Sequence, residues 1–218
     1  MKTLHKRLLI ALKLLKQGTI KPVFIGVSKR IYSRTNFVGL EAIPLKLNVT
    51  DSKIDISIRP FESSDTNALN EEFRHARLVE EQIPNCYVAT NKENSTIYRQ
   101  WLFTLTSQQQ VLDYFGPVFP KLNEKEAIIE GVFTHPDYRG LRIMSSAMAK
   151  IIQQPQYQKL SRVIAFVEEE NKASLKGFCR IGFTPYMIRK ENWFLFRRKI
   201  DFVEISEELK TVLLDSLS

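Results

Sequence analysis

The sequence has few of the residues that build metal sites and disulfides. It contains two cysteines and three histidines in 218 residues. Cys86 and Cys179 lie far apart in apolar surroundings, which favours two reduced, buried thiols over a disulfide. The histidines, His5, His75 and His135, have no partners at metal-ligand spacing, so we expect no metal ion.

Long apolar runs are also missing. No stretch approaches the roughly 20 consecutive apolar residues that a membrane-spanning helix needs. Lys13 and Lys16 interrupt the apolar segment near the N-terminus, and no small-residue cleavage site follows it, which argues against a signal peptide. With 44% hydrophobic and 26% charged residues, the composition is that of a soluble globular protein, and we expect a cytoplasmic one.

Acidic residues are scarce in the first part of the chain. Residues 1–50 contain ten Lys and Arg residues and a single acid, Glu41, whereas the remainder contains 22 basic and 23 acidic residues. A basic arm of this kind could meet nucleic acid, anionic lipid or an acidic partner. No base-stacking or groove-reading motif accompanies the charge, so we expect no nucleic-acid partner.

Residues 2–17 have the pattern of an amphipathic helix, with leucines on one face and lysines opposite. Two interpretations stay open: contact with a membrane surface, or docking on the rest of the chain or on a second subunit of a homodimer. We favour docking, because most surface helices show an apolar stripe opposite lysines. Short β-like segments follow at residues 23–27 and 36–47, and the sequence indicates no role for them.

The most informative stretch runs from Glu126 to Ile152. Residues 126–134 are apolar and β-prone, and Pro136 cannot continue a strand because it has no N–H. Apolar residues then recur at helical spacing from Ile143 onward. A helix that opens after a basic turn presents unpaired N–H groups and the positive end of its dipole, which suits a phosphate. The alternative is an ordinary strand–turn–helix whose arginines are merely solvated.

Residues 135–148, HPDYRGLRIMSSAM, resemble the acyl-CoA-binding motif of the GNAT superfamily of acetyl-CoA-dependent N-acetyltransferases. The family pattern is Arg/Gln-x-x-Gly-x-Gly/Ala, and its backbone amides hold the CoA pyrophosphate. Arg139 and Gly140 match the family, whereas Arg142 and Met144 occupy the places of the two motif glycines. The resemblance implies that the pyrophosphate contacts the turn formed by Arg139, Gly140, Leu141, Arg142, Ile143, Met144 and Ser145.

Residues 171–183 are similar to the second GNAT signature, Asn-x-x-Ala-x-x-x-Tyr-x-x-x-Gly-Phe. Asn171 is in register, so the resemblance implies a contact with the cofactor, and it is also placed to cap a helix, which Gly182 would end. Ser174 stands at the alanine of the family, and Phe178 stands at its tyrosine. The resemblance covers about residues 54–200, and its two signatures have the separation that the family shows.

The resemblance implies a mixed α/β fold with a mostly antiparallel central sheet flanked by helices. We accordingly expect a basic extension over residues 1–50, a GNAT-like acyltransferase domain over 51–200 and a helical tail over 201–218. The domain should contain a helix at about 66–80 and a final hairpin of strands 183–188 and 193–200. The aromatic residues of the connection 107–125 are interpreted as extra core, with an acceptor or acyl pocket as the alternative.

In the family, the pantetheine arm lies between two splayed central strands, and here its backbone partners would be Val132, Phe133 and Thr134. Glu130, on the same strand face as Glu126 and closer to the expected thioester, is the candidate general base. The family often uses as acid the tyrosine that Phe178 replaces, and phenylalanine has no proton to give. Tyr186 is the candidate substitute, with solvent protonation of the thiolate or loss of catalysis as alternatives.

These features favour an N-acyltransferase that uses acetyl-CoA or a related acyl-CoA and a small-molecule primary amine. A catalytically silent GNAT-fold module that binds acyl-CoA or supports an assembly is the second hypothesis, based on the missing glycines and Phe178. A protein that acts through its basic arm is the third and weakest.

Overall fold

The computed structural model describes residues 20–67, 78–79 and 82–217. The amphipathic helix predicted over residues 2–17 lies outside these residues, as does most of the helix predicted at 66–80. In the described part of the chain, no helix is long and apolar enough to cross a bilayer.

An eight-stranded sheet lies at the centre of the molecule. Its strands are β1 (Tyr32–Ala42), β2 (Ser57–Pro60), β3 (Cys86–Thr90), β4 (Thr96–Thr104), β5 (Glu126–Thr134), β6 (Arg162–Glu168), β7 (Thr184–Phe194) and β8 (Arg197–Glu204). The helices that lie wholly within the described residues are α1 (Ile20–Ile31), α2 (Gln108–Phe115), α3 (Ile143–Ile152), α4 (Lys172–Arg180) and α5 (Glu207–Asp215). The strand order is β2-β3-β4-β5-β6-β1-β7-β8, and all pairs are antiparallel except β5–β6. The predicted fold class is thereby confirmed.

The two faces of the sheet carry different cores, because successive side chains of a strand point to opposite sides. Ala127 and Ile129 of β5 belong to the larger core, which also contains the apolar faces of α3 and α4. Ile128, between them, belongs to a second core around Trp101 and Phe103. Tyr114, Phe115 and Phe119 of the 107–125 connection pack against this second core, which agrees with their interpretation as extra core.

Strand β1 lies inside the sheet, although the sequence assigned residues 1–50 to an extension. It pairs with β6 from Phe37 to Ala42 and with β7 from Tyr32 to Glu41. The β-like pattern at 36–47 therefore marks a central strand, which ends before Pro44 begins a short 3-10 turn. Val38 and Leu40 are fully buried there. Residues 32–42 thus complete the fold that the later part of the chain forms.

Two local predictions are wrong. Residues 23–27, expected to be β-like, belong to helix α1, and Phe24, Val27 and Ile31 recur along it at helical spacing. The final hairpin turns at Leu195–Phe196 and not between residues 188 and 193, because β7 continues through residues 189–192. Those residues look turn-prone in the sequence because they are polar, yet Arg189 is buried in the sheet.

Candidate acyl-CoA site

The parallel strands β5 and β6 separate part-way along their length. They pair from Glu126 and Arg162 to Ile129 and Ala165, and the pairing ends there. Both strands nevertheless continue, β5 to Thr134 alongside β4, and β6 to Glu168 alongside β1. A wedge-shaped opening therefore begins after Ile129, and the edge of β5 that faces it has no strand partner in the described part of the chain.

A β-bulge shapes β5 at this opening. Trp101 of β4 lies opposite Glu130 and Arg99 lies opposite Phe133, so Gly131 and Val132 together face one β4 residue. Gly131 has a φ of +63°, and a Cβ on it would lie 2.7 Å from the Trp101 ring. Glycine is required here both by the backbone conformation and by the close approach of the indole. The bulge brings Val132, Phe133 and Thr134, the predicted pantetheine contacts, to the side of the wedge.

The turn after β5 leads directly into α3. A short 3-10 turn at Pro136–Tyr138 is followed by Gly140 at φ +77° and Arg142 at φ +60°. Arg142 occupies the N-cap position of α3 in the left-handed region. This conformation explains why the family motif has glycine at the position of Arg142, because glycine adopts positive φ at little cost. Here the same backbone path is kept with an arginine.

The turn offers both main-chain donors and positive charge. Within the described part of the chain, no hydrogen-bond acceptor is found for the N–H groups of residues 140–145. Arg139 donates from Nε to the carbonyl oxygen of Thr134 at 3.3 Å, which fixes its guanidinium beside the end of β5. Arg139 and Arg142 are both exposed. Unpaired N–H groups, the helix dipole and two guanidinium groups suit a diphosphate.

Helices α3 and α4 pack closely where Met144 and Ser145 meet Gly177. A Cβ on Gly177 would lie 3.0 Å from Met144 Cε, and Ser145 Oγ donates to the Gly177 carbonyl oxygen at 3.0 Å. The Met144 side chain is therefore directed against α4. The absence of a side chain on Gly177 leaves room for Met144 between the two helices.

The second signature adopts the geometry that its residues predict. Asn171 caps α4 by accepting a hydrogen bond from the Ser174 N–H at 3.2 Å, and Gly182 at φ +102° follows the end of the helix. Phe178 is buried and packs edge to face on Phe183, with ring centroids 5.1 Å apart. Its ring is part of the core beneath α3 and α4 and supplies no polar group.

The two carboxylates of β5 differ in their surroundings. Glu126 Oε1 accepts from Arg162 Nη1 at 3.0 Å, and Arg162 Nε also donates to Glu41 Oε2 at 2.7 Å. Glu126 is therefore held in an ion-pair network at the closed end of the wedge. Glu130 is the first β5 residue beyond the last pair with β6, on the same face of the strand and beside the opening. Of the two, Glu130 is better placed for chemistry.

Tyr186 lies on the same face of the sheet as Glu130, on the other side of the wedge. Its ring contacts Phe166, the first β6 residue beyond the last β5 pair, with centroids 6.3 Å apart, and Arg162 lies 4.5 Å above it. Its hydroxyl is buried without a hydrogen-bond partner in the described residues. Burial raises the pKa of Tyr186, so the phenol stays protonated far above neutral pH.

Sequence reasoning missed a buried cation behind the bulge. Arg99 is fully buried on β4, its guanidinium lies 4.4 Å from the Trp101 ring, and Nη2 donates to the Gly131 carbonyl oxygen at 3.4 Å. Burial lowers the pKa of Arg99 to about 9. The available signal was an arginine inside the β-prone segment of residues 96–104, which is mostly apolar apart from Gln100 and its two terminal threonines. Arg99 supports the bulged backbone from the face that carries Glu130.

Comparison with known proteins agrees with this geometry. The model of the Acetyltransferase (GNAT) family matches residues 67–183. The chain therefore belongs to the GNAT acetyltransferase family, as its two signatures indicated. Among curated proteins, none matches the sequence.

Solved structures show the same fold at low sequence identity. A fungal multi-domain β-N-acetylglucosaminidase, whose structure contains a GCN5-related glucosamine N-acetyltransferase region, matches 79% of the chain at 16% identity with a TM-score of 0.55. A Drosophila protein matches 86% at 10% identity with a TM-score of 0.54, and a GCN5-related N-acetyltransferase from Sphaerobacter thermophilus matches 83% at 11% with a TM-score of 0.50. The matches span 22%, 59% and 54% of those proteins, respectively.

Proposed function

We propose that the chain is an N-acyltransferase that transfers an acetyl or related acyl group from acyl-CoA to a primary amine. The observation that carries this proposal is the end of β5–β6 pairing after Ile129 and Ala165, beside the N-terminus of α3. The unpartnered edge of β5 can bond the amides of a pantetheine arm as an added strand would. The diphosphate of CoA then meets the N–H groups of residues 140–145.

The reaction needs a neutral amine, a polarised thioester carbonyl and a proton for the departing sulfur. In the proposed step the amine nitrogen attacks the thioester carbon, the C–S bond breaks, and CoA leaves as a thiolate. Main-chain N–H groups near Phe133 polarise the carbonyl oxygen. Glu130 takes the proton that the amine loses, because it stands at the opening on the strand that holds the thioester.

Tyr186 is proposed to stabilise the leaving thiolate. Its pKa is raised by burial, so it is a neutral phenol at neutral pH and well above. A phenol with a raised pKa holds its proton more tightly than an ordinary thiol, which has a pKa near 8.5. It therefore fits a hydrogen-bond donor to the sulfur, and the thiolate takes its final proton from solvent.

The acceptor is proposed to be a small molecule, such as an amino sugar or an amino acid derivative. The wedge is flanked by the aromatic side chains Phe166 and Tyr186, and an aromatic wall suits a small ligand. A cytoplasmic setting fits the two free thiols of Cys86 and Cys179.

Calorimetry with acetyl-CoA tests the binding part of the proposal. The wild-type chain should bind, and Arg139→Ala should weaken binding by roughly 10- to 100-fold, as expected for the loss of a charge-assisted hydrogen bond. Lys159→Ala is the matched control, because Lys159 is an exposed cation before β6, at the other end of the sheet from the turn. Absence of binding by the wild-type chain would contradict the proposal.

A catalytically silent acyl-CoA-binding module is the second candidate. It is favoured by Phe178, which is packed in the core at the position of the family tyrosine. CoA release in the presence of a library of small amines separates the two candidates. Turnover with any amine supports the enzyme, whereas tight acetyl-CoA binding without CoA release across the library supports the silent module.

A further inference from the structure

A large apolar surface is exposed where α1 meets the β7–β8 turn. Eight large apolar side chains on it are between 37% and 72% exposed, and we call them the apolar tip: Phe24, Ile25, Val27, Ile31, Tyr32, Phe194, Leu195 and Phe196. They form one surface, because Leu195 and Phe196 donate backbone hydrogen bonds to the carbonyl oxygens of Ile31 and Arg30 at 2.9 and 2.8 Å. Tyr32 also pairs directly with Phe194. Exposed apolar clusters of this size usually mark an interaction site.

The apolar tip projects beyond the body of the sheet. Strand β6 ends at Glu168, opposite Phe37 of β1, whereas β1 begins at Tyr32, five residues further along. At about 3.3 Å per residue, Tyr32 lies roughly 16 Å beyond the end of β6. The tip therefore extends well past its neighbour β6 at this end of the sheet.

The turn at the centre of the tip has residues that local folding rules disfavour. Leu195 and Phe196 form a two-residue hairpin loop with φ values of +45° and +64°. Such loops favour Asn-Gly, because positive φ is costly for a bulky side chain. Both side chains are mostly exposed, so core packing does not offset this cost. A conformational cost that packing does not explain points to a function for the side chains.

Exposed basic residues flank the apolar tip. The first 34 residues contain nine Lys and Arg residues and no acid. Lys29 and Arg34 on one side, and Arg197 and Lys199 on the other, are exposed near the tip, with Asp201 paired to Lys199 at 3.1 Å. Further acids lie on the β6 side, where Glu168, Glu169 and Glu170 share a cavity with Lys29, Arg34 and the tip residues Tyr32 and Phe194. Exposed aromatic and aliphatic groups beside exposed basic residues match the layers of an anionic lipid surface.

We propose that the apolar tip docks this protein on an anionic lipid membrane, with Leu195 and Phe196 inserted at the interface and Lys29, Arg34 and Arg197 on lipid phosphates. A lipid surface fits better than a second copy of the chain. In a symmetric dimer about the β7–β8 turn the same residues meet each other, so Arg197 of one copy would face Arg197 of the other. The inference is independent of acyl transfer and needs no membrane-spanning helix.

Vesicle sedimentation with the full chain tests this inference. The protein should bind phosphatidylcholine vesicles that contain one third phosphatidylglycerol, and much less pure phosphatidylcholine. Binding should weaken steeply between about 0.05 and 0.5 M salt, because screening shortens the reach of the charges. Leu195→Asn with Phe196→Gly should lower partitioning roughly tenfold or more, since two apolar side chains leave the interface. Lys29→Glu with Arg197→Glu should lower it by a similar factor.

Two control variants match these changes at other places. Val212→Asn alters a side chain that is 62% exposed on α5, which follows the far end of β8, and Lys159→Glu reverses an exposed charge before β6. Both should bind vesicles as the wild type does. Acetyl-CoA binding and thermal unfolding verify that every variant is folded.

Three results would overturn the inference. The first is an absence of binding to anionic vesicles. The second is undiminished binding by the Leu195→Asn, Phe196→Gly variant, which would place lipid contact on another part of the chain. The third is a wild-type dimer in lipid-free ultracentrifugation that this variant converts to monomer, which would assign the tip to a second copy.

Discussion

The turn that leads from β5 into α3 and the turn that joins β7 to β8 lie at the same end of the sheet, since β5, β6 and β7 run in the same direction. Both contain non-glycine residues at positive φ: Arg142 at +60° in the first, and Leu195 and Phe196 at +45° and +64° in the second. A left-handed conformation costs an L-residue roughly 1–2 kcal/mol. Glycine at these positions would therefore make each turn more stable.

The two turns differ in what they present. The first turns its backbone N–H groups outward at a helix N-terminus, and the arginines add charge to donors that the backbone already supplies. The second has its backbone bound to α1 and presents two apolar side chains. A strained turn can therefore be kept for its main chain or for its side chains. Substitution by glycine distinguishes the two cases, because it relieves the backbone and removes the side chain.

The largest effect is expected from the strand that leads into the first turn. Glu130→Gln should lower kcat for amine acylation by roughly 10²- to 10⁴-fold, because the amine then has no general base. Acetyl-CoA affinity and vesicle binding should stay unchanged. This result would show that Glu130 acts in the chemical step and not in binding at either turn. Glu126→Gln is the control on the same strand face, and its kcat should change little because Glu126 lies in the part of β5 that is paired with β6, away from the opening. Equal losses in both variants would count against Glu130 as the base.

A smaller effect is expected from Arg142→Gly. Acetyl-CoA should bind about tenfold more weakly, since one charge-assisted hydrogen bond is lost. The free energy of unfolding without ligand should rise by about 1 kcal/mol, because glycine adopts φ +60° freely. Arg139→Gly removes the same charge at a residue with φ of −70°, so it should lose affinity and gain no stability. Urea unfolding and calorimetry measure both quantities, and equal stability changes would argue against strain at Arg142.

At the second turn, relief of the strained backbone should raise stability without the loss of acetyl-CoA affinity that is expected at the first turn. Leu195→Asn with Phe196→Gly should raise the free energy of unfolding by about 1–2 kcal/mol, since this pair suits a hairpin loop with two positive φ values. Acetyl-CoA affinity should not change, because neither residue borders the wedge. Phe194→Asn is the control: it removes an equally exposed apolar side chain from a residue in the extended strand, with no strain to relieve. A net loss of stability in the double variant would show that the two side chains stabilise the fold.

Sequence could predict the features in which local pattern and tertiary structure agree. The apolar runs of β5 and β6, the proline after β5 and the Asn171 cap are local signals, and the structure retains all of them. The position of β1 could not be predicted, because a strand pattern does not specify its partners. The helix at residues 20–31 was missed because valine, isoleucine and phenylalanine favour strands, and tertiary context overrode that preference.

The candidate site, too, was predictable only where its residues form a local motif. The motif comparison selected the turn from Arg139 to Ser145, and the structure places it beside the wedge. The bulge at Gly131 was not visible, because a bulge arises from pairing two residues against one on another strand. Arg99 was missed for a related reason, since its role depends on that bulge. The Leu195–Phe196 turn was hidden because its residues are those of a strand.

The smallest effect compares two glycines that both have open space around them. A Cβ on Gly140 or on Gly26 would meet no atom within 4 Å, so neither substitution by alanine causes a clash. Gly140 has a φ of +77°, and Gly140→Ala should lower the free energy of unfolding by about 1 kcal/mol. Gly26 lies within α1, and Gly26→Ala should raise it by about 0.5–1 kcal/mol through helix propensity. Urea unfolding measures both free energies. The two changes should have opposite signs, because the two glycines differ in backbone conformation and not in the space around them. Gly140→Ala should also keep acetyl-CoA affinity within about threefold of wild type, since alanine retains the N–H that the turn is proposed to present.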